Sequence, residues 1–280
     1  MTKIMIDAIQ ARLQRDEIDV PLLPEVASKV IRLTQDADSD AEDLARLIQS
    51  DQPLAGHVMR IANSALYCPN TTLVSLQQAI ARLGMQVISE IALAASINSK
   101  MFCAPGFSQF IAEQLKFSLH CGVWAKEVAR ICRRNVEAAF LSGLLHNIGR
   151  PVAIQTALES AQQRRITLSH HDVLALASCF ERALSVKVVH FWEMPVVVCD
   201  VVSSFDQYQQ AGKAKEQTMI VVAGARCAAH FTKEEGTIML SKDALLKDEV
   251  FADLNLYPED IEKLLAKADS VANTLEAMSA

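Results

Sequence analysis

Chain-breakers are the scarce residues of this sequence: nine glycines and eight prolines in 280 positions, below the roughly 7% and 5% of average usage. Alanine and leucine are plentiful, and aromatics make up only 5%. Many helix formers with few interruptions predict an all-α protein. With 51% of residues apolar, the chain can bury a sizeable core, either as one large domain or as two intimate lobes.

Helix starts recur along the chain. Ser39-x-x-Glu42 is a predicted capping box ahead of Leu44, Leu47 and Ile48, which share one helical face. Asp51-Gln-Pro53 opens the next predicted helix, with Leu54, Val58, Ile61 and Ala62 inward and Tyr67 to Asn70 closing it. Ser75-x-x-Gln78 is a second box, and Gly84 stops that helix. His120 begins a helix that runs to about Arg134, with Asn135 as its C-cap. Ala138 to Leu145 is apolar all round and predicts a central buried helix, ended by Gly149 and Pro151. Pro258 falls in the first turn of a last amphipathic helix carrying Ile261, Leu264, Leu265, Ala268 and Val271. Val186 to Trp192 and Val196 to Val202 are rich in β-branched residues. Propensity favours strands there, a buried helix is the rival, and periodicity does not separate the two.

A net charge of −6 and a pI near 5.7 give no global footprint for nucleic acid. The one dense cationic cluster, Arg130, Arg133 and Arg134, ends a predicted helix, where cations meet the negative end of the dipole. No signal peptide opens the chain and no apolar run approaches the ~18 residues of a membrane span, so neither nucleic acid nor membrane is an expected partner. The seven cysteines form no C-x-x-C pair and read as reduced thiols of a cytoplasmic protein.

The sharpest local feature is Gly143-Leu-Leu-His-Asn-Ile-Gly149. A histidine in so apolar a helix is usually a hydrogen-bonded core residue. His120 precedes His146 by 26 residues, and two antiparallel helices of that length bring such imidazoles near each other. Two neutral nitrogens still do not make a hydrolytic centre.

Five blocks in order, Pro21 to Val26, Leu47 to Leu54, Arg60 to Tyr67, Ala79 to Gly84 and Phe140 to Gly149, resemble the HDOD family of bacterial signalling proteins. The Ile61 to Tyr67 stretch is the most specific of them. The resemblance implies an HDOD domain over 18–235, with an N-terminal helical lobe at 18–105 and an HD-like lobe at 106–235. An N-terminal extension (1–17) and a C-terminal helical extension (236–280) flank it, both too short for a further domain. It also implies an all-α fold, which turns the valine-rich segments into helices, and a lobe related to HD-type metal phosphohydrolases.

In HD hydrolases an early His, a His-Asp pair and later His or Asp residues bind metal. By resemblance His120 matches the early His and His146 the pair's His, whereas the pair's Asp is Asn147. Glu181 stands where relatives often carry a His, and Phe205-Asp206 where a His-His pair often follows. His170, His171 and His190 fall off the pattern and read as surface or core residues. A hydrolytic metal needs anionic ligands and enough charge to bring bound water near pKa ~7; the neutral carbonyl of Asn is a poor substitute for a carboxylate. The degenerate remnant is therefore His120, His146, Asn147, Glu181 and Asp206, with no catalytic residue and no cofactor assigned. A metal, were one bound, would fall to His120 and His146, with Glu181 or Asp206 able to rebuild a site only by joint compensation.

These readings imply a non-catalytic signal-transduction protein working through protein contacts, with an apolar groove between the lobes as the expected docking place. A metal-dependent phosphohydrolase acting on a nucleotide or phosphodiester is the alternative. A further one is a nucleotide-sensing module holding an unidentified small-molecule ligand, although no Gly-rich phosphate cradle supports it.

Overall fold

Short polar side chains set where seven of the sixteen α-helices among the described residues begin. The computed structural model describes residues 2–36, 38–64, 66–68, 72–232 and 239–279, and every regular element among them is helical. After α1 (Thr2–Gln14) and α2 (Glu25–Gln35), α3 (Ala41–Gln49) is capped by Asp40, which accepts from Glu42 N and Asp43 N. Asp43 returns to the Asp40 N–H. The predicted Ser39 box is thus displaced by one residue, because a carboxylate caps as well as a hydroxyl and also meets the positive end of the helix dipole.

Asp51 opens α4 (Gln52–Ala62) as expected, accepting from Leu54 N. That helix ends at Ala62, earlier than predicted. The Asn63 amide donates to Leu73 O at 3.0 Å and accepts from Leu73 N at 2.7 Å, which draws the chain away. Pro69 and Asn70 of the predicted closing segment lie outside the described residues. Ser75 caps α5 (Leu76–Leu83), while Gln78 reaches back to Val74 N rather than Ser75 N. Gly84, at φ 86°, then turns the chain by 117° into α6 (Met85–Ser96).

In the second half α7 (Ser108–Cys132) runs 25 residues, so His120 lies within a helix rather than at its start. Buried Phe110, Ile111 and Phe117 extend the inward face upstream. The helix stops on Arg133 in the left-handed region, and Asn135 is the N-cap of α8 (Val136–Leu145), not a C-cap. Its amide oxygen satisfies Ala138 N, a donor with no partner inside α8. Gly149 and Pro151 start α9 (Gly149–Arg164) instead of merely closing α8; a first-turn proline has no needed N–H to lose.

Both valine-rich segments are helical, in α10 (His170–Phe191) and α11 (Val196–Ser204). The penalty for β-branching in a helix is a fraction of a kcal/mol per residue, and burial of Val188, Val189, Val198, Val201 and Val202 outweighs it. A 3-10 stretch at Phe205–Gln210 leads toward α12 (Lys215–Phe231). The chain then adds α13 (Lys242–Leu246), α14 (Glu249–Asp253), α15 (Pro258–Leu265) and α16 (Ala268–Ser279). The single last helix predicted from Pro258 is two, broken at Ala266–Lys267. The 235/236 boundary lies outside the described residues.

Helices α2 to α6 pack around Leu44, Ile48, Val58, Ile61, Ile88 and Ile91. In the other half α7 is sandwiched by α8 and α12 at backbone distance. A Cβ on Gly143 would sit 2.7 Å from Gly122 Cα, and one on Gly224 would sit 2.5 Å from Ala125 N. α1 crosses to the far half, packing on α9 and α10 through Arg12, which donates to Ser160 Oγ at 2.9 Å and pairs with Glu159 at 3.0 Å. α16 lies against α6 and α7, and a buried Lys126–Glu90 ion pair ties α7 to α6.

Candidate functional site

His146 sits where α8 gives way to the turn before α9, fully inside the protein. Its Nδ1 lies 2.7 Å from Gly143 O. A carbonyl oxygen only accepts, so Nδ1 carries the proton and donates. The ring packs on Phe205, centroids 4.5 Å apart. Burial, reinforced by the Arg182 charge, pushes its pKa down to about 3, so the imidazole is neutral. Asn147 is half-buried in the same turn, its carbonyl accepting from Arg150 N.

The charge in this pocket comes from arginine. Arg182 of α10 clamps Asp206 with Nε and Nη2 at 2.9 and 3.0 Å. Its Nη1 donates to His146 O at 2.6 Å and to Val202 O at 3.1 Å, and the guanidinium lies 4.9 Å over the Phe205 ring. One side chain thereby ties the end of α8, the end of α11 and the 3-10 stretch together. Beside it, Arg150 of α9 pairs with Glu181 at 3.7 Å, donates to Gln114 Oε1 at 3.1 Å and stacks over Phe110. Burial raises the Glu181 pKa, opposed by Arg150 and Arg182.

Backbone contact sets the position of Glu181 against Arg150. Gly149 N donates to Ser185 Oγ at 2.9 Å, and a Cβ there would fall 2.3 Å from Glu181 O. Only glycine lets α9 approach α10 closely enough to place Arg150 against Glu181.

His120 has different company. It shares a 3.1 Å hydrogen bond with Thr232 Oγ1 and lines an open groove of about 770 Å3 beside Trp124, Phe231 and α16. Burial, then Lys116, lowers its pKa to about 4. Among the described residues no hydrogen bond, ion pair or ring contact joins His120 to His146, Glu181 or Asp206. The structure therefore gathers His146, Asn147, Glu181 and Asp206 around two arginines, with His120 outside that network. Of the off-pattern histidines, His170 stacks on Phe107 at 4.6 Å.

Among the described residues no three His, Cys, Asp or Glu side chains are placed to hold a metal ion. The donors that remain do not fit one: His146 offers a single neutral nitrogen, Nε2, and both acids face guanidinium groups. Sequence reading missed Arg150 and Arg182. Their signal was a cation directly after Gly149 and another directly after Glu181, each inside a segment otherwise reading as buried. A second concavity of about 320 Å3 lies where α2 and α6 face α8 and α11. Among the described residues no single helix is long and apolar enough to cross a membrane.

Solved structures show the same fold. A protein from Shewanella amazonensis SB2B, titled a candidate metal-dependent phosphohydrolase, superposes with a TM-score of 0.73 at 20% identity, covering 99% of each chain. An HDOD domain protein of unknown function from Geobacter sulfurreducens gives 0.72 at 16% identity, over 99% of this chain and 98% of that one. A candidate signal transduction protein from Marinobacter aquaeolei VT8 gives 0.70 at 20%, over 100% of this chain and 66% of that one. At such identities the likeness speaks for fold alone. No curated protein matches the chain significantly. The HDOD domain model matches residues 20–208, two thirds of the chain, and the protein belongs to the HDOD domain family.

Proposed function

We propose that this chain is a non-catalytic regulator, a cytoplasmic bacterial signal-transduction protein that acts through protein contacts. The observation that carries this reading is the pairing of both residual acids with arginine: Asp206 with Arg182 and Glu181 with Arg150. A divalent ion at this place would have to displace a guanidinium bonded to Asp206 and another paired with Glu181. It would meet a repulsive fixed charge and find one neutral imidazole, offering only Nε2, as its uncontested ligand. Without an ion to bring bound water near pKa ~7, the pocket has no nucleophile for phosphoester hydrolysis. Arg182 instead supplies a permanent charge that joins three chain segments, a structural use of the position.

Metal content of protein purified without chelator tests this, together with turnover of a phosphomonoester, phosphodiester and nucleotide panel. The expected result is substoichiometric Mn, Fe and Zn and no turnover. Tight stoichiometric metal that is lost in both His146→Ala and the partly exposed His120→Gln would restore the metal-dependent phosphohydrolase reading. The second variant guards against simple unfolding of the first.

A further inference from the structure

Two concavities meet along one line between the halves of the molecule. Ile31 of α2 lines both of them: the 320 Å3 pocket and a neighbouring one of about 510 Å3. The opposite wall comes from neighbouring stretches of chain too, Phe191 to Glu193 on one and Pro195, Val197 and Val198 on the other. Together they form a single cleft between α2 and the α10–α11 corner.

The rim of this cleft is unusually apolar. Of the nine large apolar side chains exposed among the described residues, three line it, Leu22 (77% exposed), Phe191 and Val197, and Val196 (76%) is exposed between the lining residues Pro195 and Val197. Scattered exposed apolar residues need no explanation, but a cluster along one cleft marks an interaction surface. The walls are braced, since Trp192 Nε1 donates to Pro21 O at 2.8 Å and Arg32 pairs with Glu193 across the cleft at 3.5 Å. A preformed groove lowers the ordering cost of binding.

The cleft is also acidic. Glu25, Glu90, Glu137 and Glu193 line it, against Arg32 as the only lining cation. Lys29 pairs with Glu25, Arg32 with Glu193, and Lys126 with Glu90 from the α7 side. Glu137, at the start of α8 and exposed, makes no ion pair among the described residues. Such a lining disfavours an anionic nucleotide and favours a cation. No strand among the described residues offers a sheet edge to extend, and a groove between helices with an exposed apolar rim matches helix-in-groove recognition.

We propose that this cleft receives an amphipathic helix of a partner protein, its apolar face on Leu22, Phe191, Val196 and Val197 and a lysine or arginine set against Glu137. This rests on the regulatory reading above and specifies its contact.

The test is selection from a displayed library of amphipathic helical peptides against the full chain, its Val196→Glu and Leu22→Glu variants, and Glu137→Lys. All three replaced side chains are exposed, so folding is retained and is checked by circular dichroism. Enriched helices are expected to share an apolar i, i+3/i+4, i+7 face and one Lys or Arg, and to lose about tenfold or more in affinity for the Val196 and Leu22 variants. Selection on Glu137→Lys should replace the cation by Asp or Glu. No enrichment, binding indifferent to the variants, or no charge preference overturns the proposal. So does a dimer of the chain dispersed by Val196→Glu, which would assign the cleft to a second copy. A metal-free, inactive protein whose cleft ignores the library keeps the non-catalytic reading and loses only this one.

Discussion

Arg182 makes two kinds of contact that differ in weight. Its partner Asp206 is 59% exposed at the side chain, so water and salt screen that ion pair despite its bidentate geometry. The bonds to the carbonyls of His146 and Val202 are part-buried, and losing them leaves acceptors unsatisfied. Arg182→Ala is therefore expected to lower stability by about 3 kcal/mol, and Asp206→Ala by less than about 1 kcal/mol, both read by urea denaturation. Equal losses would show that the ion pair, not the carbonyl bonds, holds the pocket. The site's candidate residues were legible as residue types, yet their partners were not. Arg182 meets Asp206 across 24 residues and His146 across 36, far beyond the i, i+4 reach of helical spacing.

Among helices, the starts were the readable feature, because an N-cap and the backbone N–H that donates to it lie within three residues of each other. Asp51 with Pro53, Ser75 and Pro258 mark starts legible in this way, Pro151 reads from sequence as an end rather than a start, and the Ser39 box is displaced by a single residue. Helix ends were less readable: Asn63 stops α4 through its bonds to Leu73, a contact set by the loop's return. His120 was misplaced at a helix start because α7 is amphipathic through a mixed polar stretch upstream. The glycine contacts are the sharpest element-scale test. A Cβ at position 149 would meet Ser185 N at 2.1 Å and Glu181 O at 2.3 Å, both backbone, so neither rotates away. Gly149→Ala is expected to force α9 from α10 and lower stability by about 3 kcal/mol or more. A thermal midpoint unchanged from the parent would contradict that packing.

For the molecule as a whole, buried neutral histidines make folding sensitive to acid. The folded-state pKa values of His146 and His120 fall to about 3 and about 4 from 6.5, and burial lowers that of His57 as well. Below pH 6.5 the unfolded chain takes up protons that the folded chain refuses. Their contribution is thus fully present above pH 6.5 and is lost as pH falls toward 4 and 3. The denaturation midpoint should drop between pH 6.5 and 4, with a shallower slope in His120→Gln. A profile equally steep in that variant would exclude His120 as a contributor.

The all-α class, the starts of α4, α5 and α15, the buried α8 and the HDOD resemblance were determined by the sequence alone, since each depends on composition, on neighbours within a turn or on ordered blocks. Tertiary structure alone decided that α1 packs on the far half and that His120 stays outside the His146 network. It also decided that Arg150 and Arg182 occupy the company of Glu181 and Asp206. The physical reason is common to all three: each contact joins helices distant in sequence, and how closely helices cross, as at Gly122 with Gly143, at Gly149 and at Gly224, is set by tertiary packing. A crossing joins residues that no local spacing relates. His146-Asn147, a weak signal by itself, gained its meaning from the two cations that the crossings bring beside it.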